Sequence, residues 1–171
     1  MNRTPSETRA PRMEALARLP IFLALAGKRV LIAGGGSAAA WKAELLSAAG
    51  AHVDAYALEP CEELLAVAAD PPGGPIRVHR RAFEPGDLDG AVIAVGAIDG
   101  EAAAAQFAAA ARRARVPANI VDKPMYGDFA FGAIVNRSPL VIGVSTDGAA
   151  PIFGQAIRAK LEALIPRGFA R

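Results

Sequence analysis

"VLIAGGGSAAAWKAELL", Val30 to Leu46, decides how this chain is read. Val30 to Ala33 is an apolar run too short for a helix, and it suits a buried strand. Three glycines follow. Ala38 to Ala49 then forms helix readily, and Gly50 is a natural stop. Within this strand, turn and helix, the spacing Gly34-x-Gly36-x-x-Ala39 matches a dinucleotide fingerprint. The first glycine permits a tight turn, the second lets the backbone approach a pyrophosphate, and the small third residue lets helix and strand pack closely. The helix start adds free N–H groups that favour an anion. The turn Gly34, Gly35, Gly36 is therefore a candidate cofactor cradle, although the same pattern also serves as a connection that holds nothing.

The surroundings repeat the theme. "AHVDAYAL" (51–58), "IRVHRRAF" (76–83, a short exposed strand), "GAVIAVGA" (90–97) and "ANIVD" (118–122) read as strands. "CEELLAVAAD" (61–70) and "DGEAAAAQFAAAARRARV" (99–116) read as helices, with acids early in the first and bases late in the second. Alternation of this kind predicts an α/β fold, a Rossmann-like parallel sheet with helices on both faces. After Pro124 the pattern changes to two strands joined at "NRSP" and an amphipathic helix with Ile152, Ala156, Leu161, Leu164 and Ile165 near one face. The expected organisation is a flexible tail over 1–18, a dinucleotide-binding domain over 19–124, and a small α+β region over 125–171. The apolar face of that last region needs a partner, and a second copy of the chain would supply one.

Bulk properties narrow the function. The chain has 171 residues, 53% hydrophobic and 21% charged, with a net charge of +2. Its bases are scattered, so no nucleic-acid footprint is expected. The most apolar N-terminal run, Leu19 to Leu25, is halted by "GKR" well short of the ~20 residues a membrane span requires. The lone cysteine, Cys61, excludes an intrachain disulfide and a multi-cysteine metal site, and it suits a reducing cytoplasm. His52 and His79 are solitary and are expected to be solvated or at the core edge; Trp41 is expected to pack.

A dinucleotide site also needs an acid for the ribose, roughly twenty residues past the glycines. Tyr56 occupies that spacing. Asp54 lies two residues early on the same strand, and Glu59 follows the strand end, within reach of ribose hydroxyls. No Arg or Lys stands beside this strand end to take a 2′-phosphate, which favours NAD over NADP. Ligands of open parallel sheets sit at the carboxyl ends of the strands. "NIVDKP" puts Asn119, Asp122 and Lys123 at such an end. Asp122 there suits a general base or an oxygen ligand to a metal, and equally a turn cap. In "VSTDGAAP", Ser145, Thr146 and Asp147 precede a helix, as caps or as an anion site for a carboxylate-bearing substrate.

Three stretches together resemble the precorrin-2 dehydrogenase/sirohydrochlorin ferrochelatase family, the N-terminal module of siroheme synthase. They are "LPIFLALAGKRVLIAGGGSAAAWKAELLSAAGAHVDAYA" (19–57), "NIVDKP" (119–124) and "NRSPLVIGVSTDGAAPIFGQAIRAKLEALIP" (136–166). The resemblance implies NAD-dependent oxidation of precorrin-2 to sirohydrochlorin, then insertion of ferrous iron as the second substrate, in a homodimer joined through 125–171. It also implies that Ser37 and Ala38 touch NAD after the glycines and that Leu58 and Glu59 lie at the ribose. Asp122 matches the family's essential aspartate, and Thr146 a hydroxyl-bearing position near the tetrapyrrole, with Asn119 and Ser145 alongside. Two departures stand out. Trp41 replaces an arginine before the helix lysine, and Gly96, Ala97, Ile98 and Asp99 replace a Thr-Asp/Asn pair. A second reading keeps the fold and the tetrapyrrole and drops the redox chemistry, giving a non-catalytic carrier.

Overall fold

A computed structural model describes residues 14–165. The expectations for 1–13 and 166–171 lie outside that range. Among the described residues two compact units emerge: Phe22–Phe131, and a second formed by residues 132–165 with residues 14–21.

The first unit is built on five parallel strands: β1 (Arg29–Ala33), β2 (His52–Tyr56), β3 (Ile76–His79), β4 (Ile93–Gly96) and β5 (Ala118–Ile120). Their spatial order is β3-β2-β1-β4-β5. The order reverses between β1 and β4, which is where a doubly wound sheet opens a crevice at its carboxyl edge. Ala33 lies opposite Tyr56 of β2 and Gly96 of β4, so three strand ends meet at one level.

Alternation along the strands feeds two cores. Val30, Ile32, Val53, Ala55, Ile93 and Val95 pack beneath α1 (Ser37–Ala48) and α2 (Glu62–Ala69). Leu31, Ala33, Tyr56 and Ala94 face the other way, toward α3 (Glu101–Ala114) and a 3-10 turn at Pro85–Leu88. Helices thus cover both faces, as the alternation predicts. Alanine lets them approach closely: Ala39, Ala43, Ala104 and Ala111 are fully buried. The strand expected over 76–83 stops at His79. Arg81 N–H donates back to the His79 carbonyl at 2.8 Å, and the chain leaves the sheet edge toward the 3-10 turn.

The second unit is an antiparallel hairpin, β6 (Ala133–Arg137) and β7 (Leu140–Val144), with helix α4 (Pro151–Leu164) against it. Arg137 closes α4 by donating to the carbonyls of Glu162 (3.1 Å) and Ile165 (2.9 Å). The face expected to be apolar is not buried as a unit. Ile152 and Leu164 remain 86% and 76% exposed.

Candidate functional site

The glycine turn owes its course to close approaches on two sides. Gly34 has φ +127°, and a Cβ there would lie 2.0 Å from the Ala97 carbonyl oxygen at the end of β4. Its N–H donates to the Tyr56 carbonyl at 2.9 Å. A Cβ on Gly35 would lie 2.7 Å from the Glu59 carbonyl oxygen and from the Ala57 methyl group. The Gly35 carbonyl accepts the Cys61 N–H at 2.8 Å, which joins the turn to the start of α2. Gly36 differs. It caps α1, and a Cβ there would meet nothing within 4 Å. The turn is pressed against protein at Gly34 and Gly35 and opens outward at Gly36, with Ser37 and Ala38 also exposed. A pyrophosphate on a helix N-terminus needs this arrangement, so the residues present fit the group.

Beside the turn lies a cavity of about 630 Å³, within the range of small-molecule sites. Gly34, Gly35, Leu58 and Glu59 line it, with Phe83 from the crossing after β3 and Arg113 from α3. Four of the expected cofactor residues therefore share one cavity. Gly36, Ser37 and Ala38 stand outside its lining, at the head of α1. Leu58 is 72% exposed at the rim.

Glu59, not Asp54, is the acid at this rim. Asp54 accepts from Arg29 Nε (2.6 Å) and lies 2.9 Å from His79 Nε2. Burial alone would raise its carboxyl; the His79 and Arg29 contacts outweigh that and hold it below the ordinary aspartate range. Arg29 continues the network to the Asp87 and Asp89 carbonyls, and His79 stacks on Tyr56 at 4.4 Å between centroids. The network anchors the crossing that carries Phe83. The rim is also more basic than the sequence around β2 indicates, because Arg113 arrives from a distant helix and Arg81 lies 4.7 Å above the Tyr56 ring. Arg81 is itself paired with Asp87 (2.8 Å).

At the end of β5, Asp122 is exposed and has φ +59°, a left-handed conformation that is uncommon outside glycine and that Asp and Asn tolerate best. The backbone makes this turn, with Lys123 N–H donating to the Ile120 carbonyl at 3.2 Å. Asn119 is committed to the fold. Its amide donates to the Phe129 carbonyl at 2.9 Å, beside the bond from Ala118 N–H to Asp128 (2.9 Å). In the second unit, Ser145 Oγ accepts the Asp147 N–H at 3.2 Å and the Thr146 carbonyl accepts the Ala149 N–H at 3.0 Å, so both residues shape the turn before α4. Asp147 pairs with Arg18.

Lys42 is the residue that the sequence reading passed over. It is 6% exposed, and its ammonium lies 3.8 Å from the centroid of Phe131 and 4.1 Å from that of Trp41. Burial lowers its pKa to about 8, against the opposing pull of the Asp122 charge. The signal was in the helix period: Lys42 falls between Ala39 and Leu46 on the face that meets the sheet. The same period turns Trp41 outward, 53% exposed, so its role is not core packing. Among the described residues no group of three His, Cys, Asp or Glu side chains gathers as a metal site, and no helix is long and apolar enough to cross a membrane.

Known proteins share this architecture. The chain is 43% identical over 151 residues to a siroheme synthase of Pseudomonas entomophila (strain L48), covering 88% of this chain and 32% of that protein. It is 39% identical over 152 residues to a siroheme synthase of Psychrobacter sp. (strain PRwf-1), covering 89% and 31%. The chain thus spans about a third of the length of these curated relatives. Among solved structures, "SirC, precorrin-2 dehydrogenase" superposes with a TM-score of 0.67 at 24% identity, over 88% of this chain and 72% of that one, a likeness of fold. A family model described as "Putative NAD(P)-binding" matches residues 21–133. With the glycine turn, the strand order and the match over most of the chain in agreement, this protein belongs to the NAD_binding_7 family of NAD(P)-binding domains.

Proposed function

We propose that this chain oxidises precorrin-2 to sirohydrochlorin with NAD as acceptor, in siroheme synthesis. The observation that carries the reading is the open face at Gly36, set in a turn whose other two glycines are pressed against protein. The relatives named siroheme synthase and the fold match named precorrin-2 dehydrogenase support the choice of substrate.

When bound, NAD supplies the hydride acceptor. The chain's own residues do the rest. Gly34, Gly35 and Gly36, with the N–H groups of Ser37 and Ala38, hold the pyrophosphate; Leu58 and Glu59 frame the ribose. Asp122 accepts the proton that the macrocycle loses as hydride departs. A carboxylate exposed at a strand end can do this without breaking an internal hydrogen bond. In a second step, with ferrous iron as substrate, the same carboxylate accepts pyrrole protons. Asn119, Ser145 and Thr146 contribute to tetrapyrrole binding, with Asn119 acting through the backbone that it fixes.

We also infer a homodimer through 125–171, working in the cytoplasm. Ile152, Phe153 and Leu164 are 86%, 61% and 76% exposed on α4, an apolar surface that a second copy would cover. Sedimentation should return twice the chain mass.

The test is incubation with precorrin-2 and NAD, following the absorbance of sirohydrochlorin. Conversion is expected. A folded dimer that binds NAD and leaves precorrin-2 unchanged would refute the dehydrogenase. Tetrapyrrole binding without NAD binding would support the carrier.

A further inference from the structure

Trp41 is a large apolar side chain on the outer side of α1, 53% exposed where the helix period offers a place to a polar residue. One face of its indole is taken. The Lys42 ammonium lies 4.1 Å from the ring centroid, inside the ~6 Å range of a cation–π contact. Lys42 is no loose surface side chain. It is 6% exposed, and its ammonium also lies 3.8 Å from the centroid of Phe131. Phe131 in turn meets Phe129 edge to face at 5.4 Å. The indole is therefore backed by a fixed post, and its other face is open. A ring held in this way loses little side-chain freedom when a second flat ring stacks on it.

The surroundings narrow what that second ring is. Trp41 is in the second turn of α1, roughly 7–8 Å along the axis from Gly36. The Asn119 amide ties the Phe129 carbonyl to β5, and Val121, Phe129 and Phe131 pack on the same core cluster as Ala39, Ala40 and Ala43. The chain on either side of Asp122 thus borders α1, and through Phe131 it borders the Trp41–Lys42 pair. We propose that Trp41, backed by the Lys42 ammonium, is a stacking platform for the tetrapyrrole and so a substrate-binding residue. This rests on the reading of a tetrapyrrole as the substrate.

The chemistry of the pair suits this occupant. A cation on one face draws electron density from the indole, so the open face stacks best on an electron-rich π system, and pyrrole rings are electron-rich. The positive charge beneath also complements a macrocycle that bears carboxylates. An oxidised nicotinamide ring is electron-poor and cationic, and so is the wrong partner on both counts.

Trp41 is the chain's single tryptophan, so its fluorescence reports on this ring alone. In the free protein, acrylamide should quench it as readily as an exposed indole. A shielded indole would mean that another protein surface covers the ring, and overturns the proposal. Affinity for sirohydrochlorin is then read by titration, without turnover. Trp41→Ala should weaken it ~10-fold or more, with NAD affinity within about twofold of wild type. Trp41→Phe keeps a ring and should bind within about threefold of wild type. Trp41→Leu keeps the bulk over the Lys42 stem, loses the ring, and should bind more weakly than Trp41→Phe. Wild-type affinity in Trp41→Ala, or Leu as good as Phe, overturns the stacking role and leaves the proposed reaction standing. A loss confined to NAD assigns the ring to the cofactor and also overturns it. Wild-type protein that binds no sirohydrochlorin overturns the tetrapyrrole reading itself, and this platform with it.

Discussion

The Lys123 ammonium donates to the Ile98 carbonyl at 3.3 Å, and so ties the segment that bears Asp122 to the loop after β4 that lines the cavity beside the glycine turn. Tyr126 reinforces the tie through its hydroxyl, which donates to Glu101 at 2.7 Å. Removing the ammonium with Lys123→Met should loosen this loop. A hydrogen bond from a charged donor contributes about 1.5–3 kcal/mol when intact, and a partly exposed one less. NAD affinity should fall about 3- to 10-fold, read by titration, while the melting temperature changes little.

The three glycines should respond differently to alanine. Gly34→Ala places a methyl 2.0 Å from the Ala97 oxygen at a φ of +127°, so the strand ends must separate. A loss of ~2–4 kcal/mol in stability is expected, checked by denaturant unfolding. Gly36→Ala meets nothing within 4 Å and has an ordinary φ of −82°. It should unfold within about 1 kcal/mol of wild type and still lose NAD affinity ~10-fold or more, because the new methyl enters the space left for the pyrophosphate. Undiminished NAD binding by Gly36→Ala would place the cofactor elsewhere.

This contrast also marks what could be read from sequence. The glycine spacing and the alternation of apolar strands with alanine-rich helices made β1, α1 and the sheet legible, because both are local signals with a fixed period. Asp122 was legible as the polar residue after a buried strand, although the strand expected over 118–122 ends at Ile120 and Asp122 lies in the turn beyond it. Arg113 at the rim was not, since it lies near the end of α3, far along the chain from β2. The fate of Asp54 was equally hidden, because its partners Arg29 and His79 lie on neighbouring strands. Lys42 lay within reach of the helix period, and its charge masked its place in the core.

Lys42 gives stability a distinct pH dependence. Its folded pKa is lowered to about 8 from 10.5 in the unfolded chain. Between those values the unfolded state holds the extra proton, so stability attributable to this group rises with pH; below about 8 both states are protonated and the burial cost is fully felt. Wild type should gain ~1–2 kcal/mol relative to Lys42→Met between pH 7.5 and 10.5. Parallel stability curves for the two proteins would refute this.

Asp54 has the opposite sign. Burial raises its carboxyl, but His79 and Arg29 prevail and the net shift is downward. Its contribution is fully present above the unfolded value of ~3.9 and is lost as pH falls through the lower folded value. Asp54→Asn should therefore flatten the acid limb of the unfolding curve below pH ~4. It should also weaken NAD binding, through the crossing that carries Phe83.

The central claim is that a cofactor on the glycine turn and the Asp122 carboxylate serve one reaction. The most direct measurement is NADH formation from precorrin-2, comparing wild type with Asp122→Asn at matched NAD saturation. The account predicts turnover in the wild type and a loss of ~100-fold or more in Asp122→Asn, with NAD affinity unchanged. Equal rates in the two proteins would contradict it.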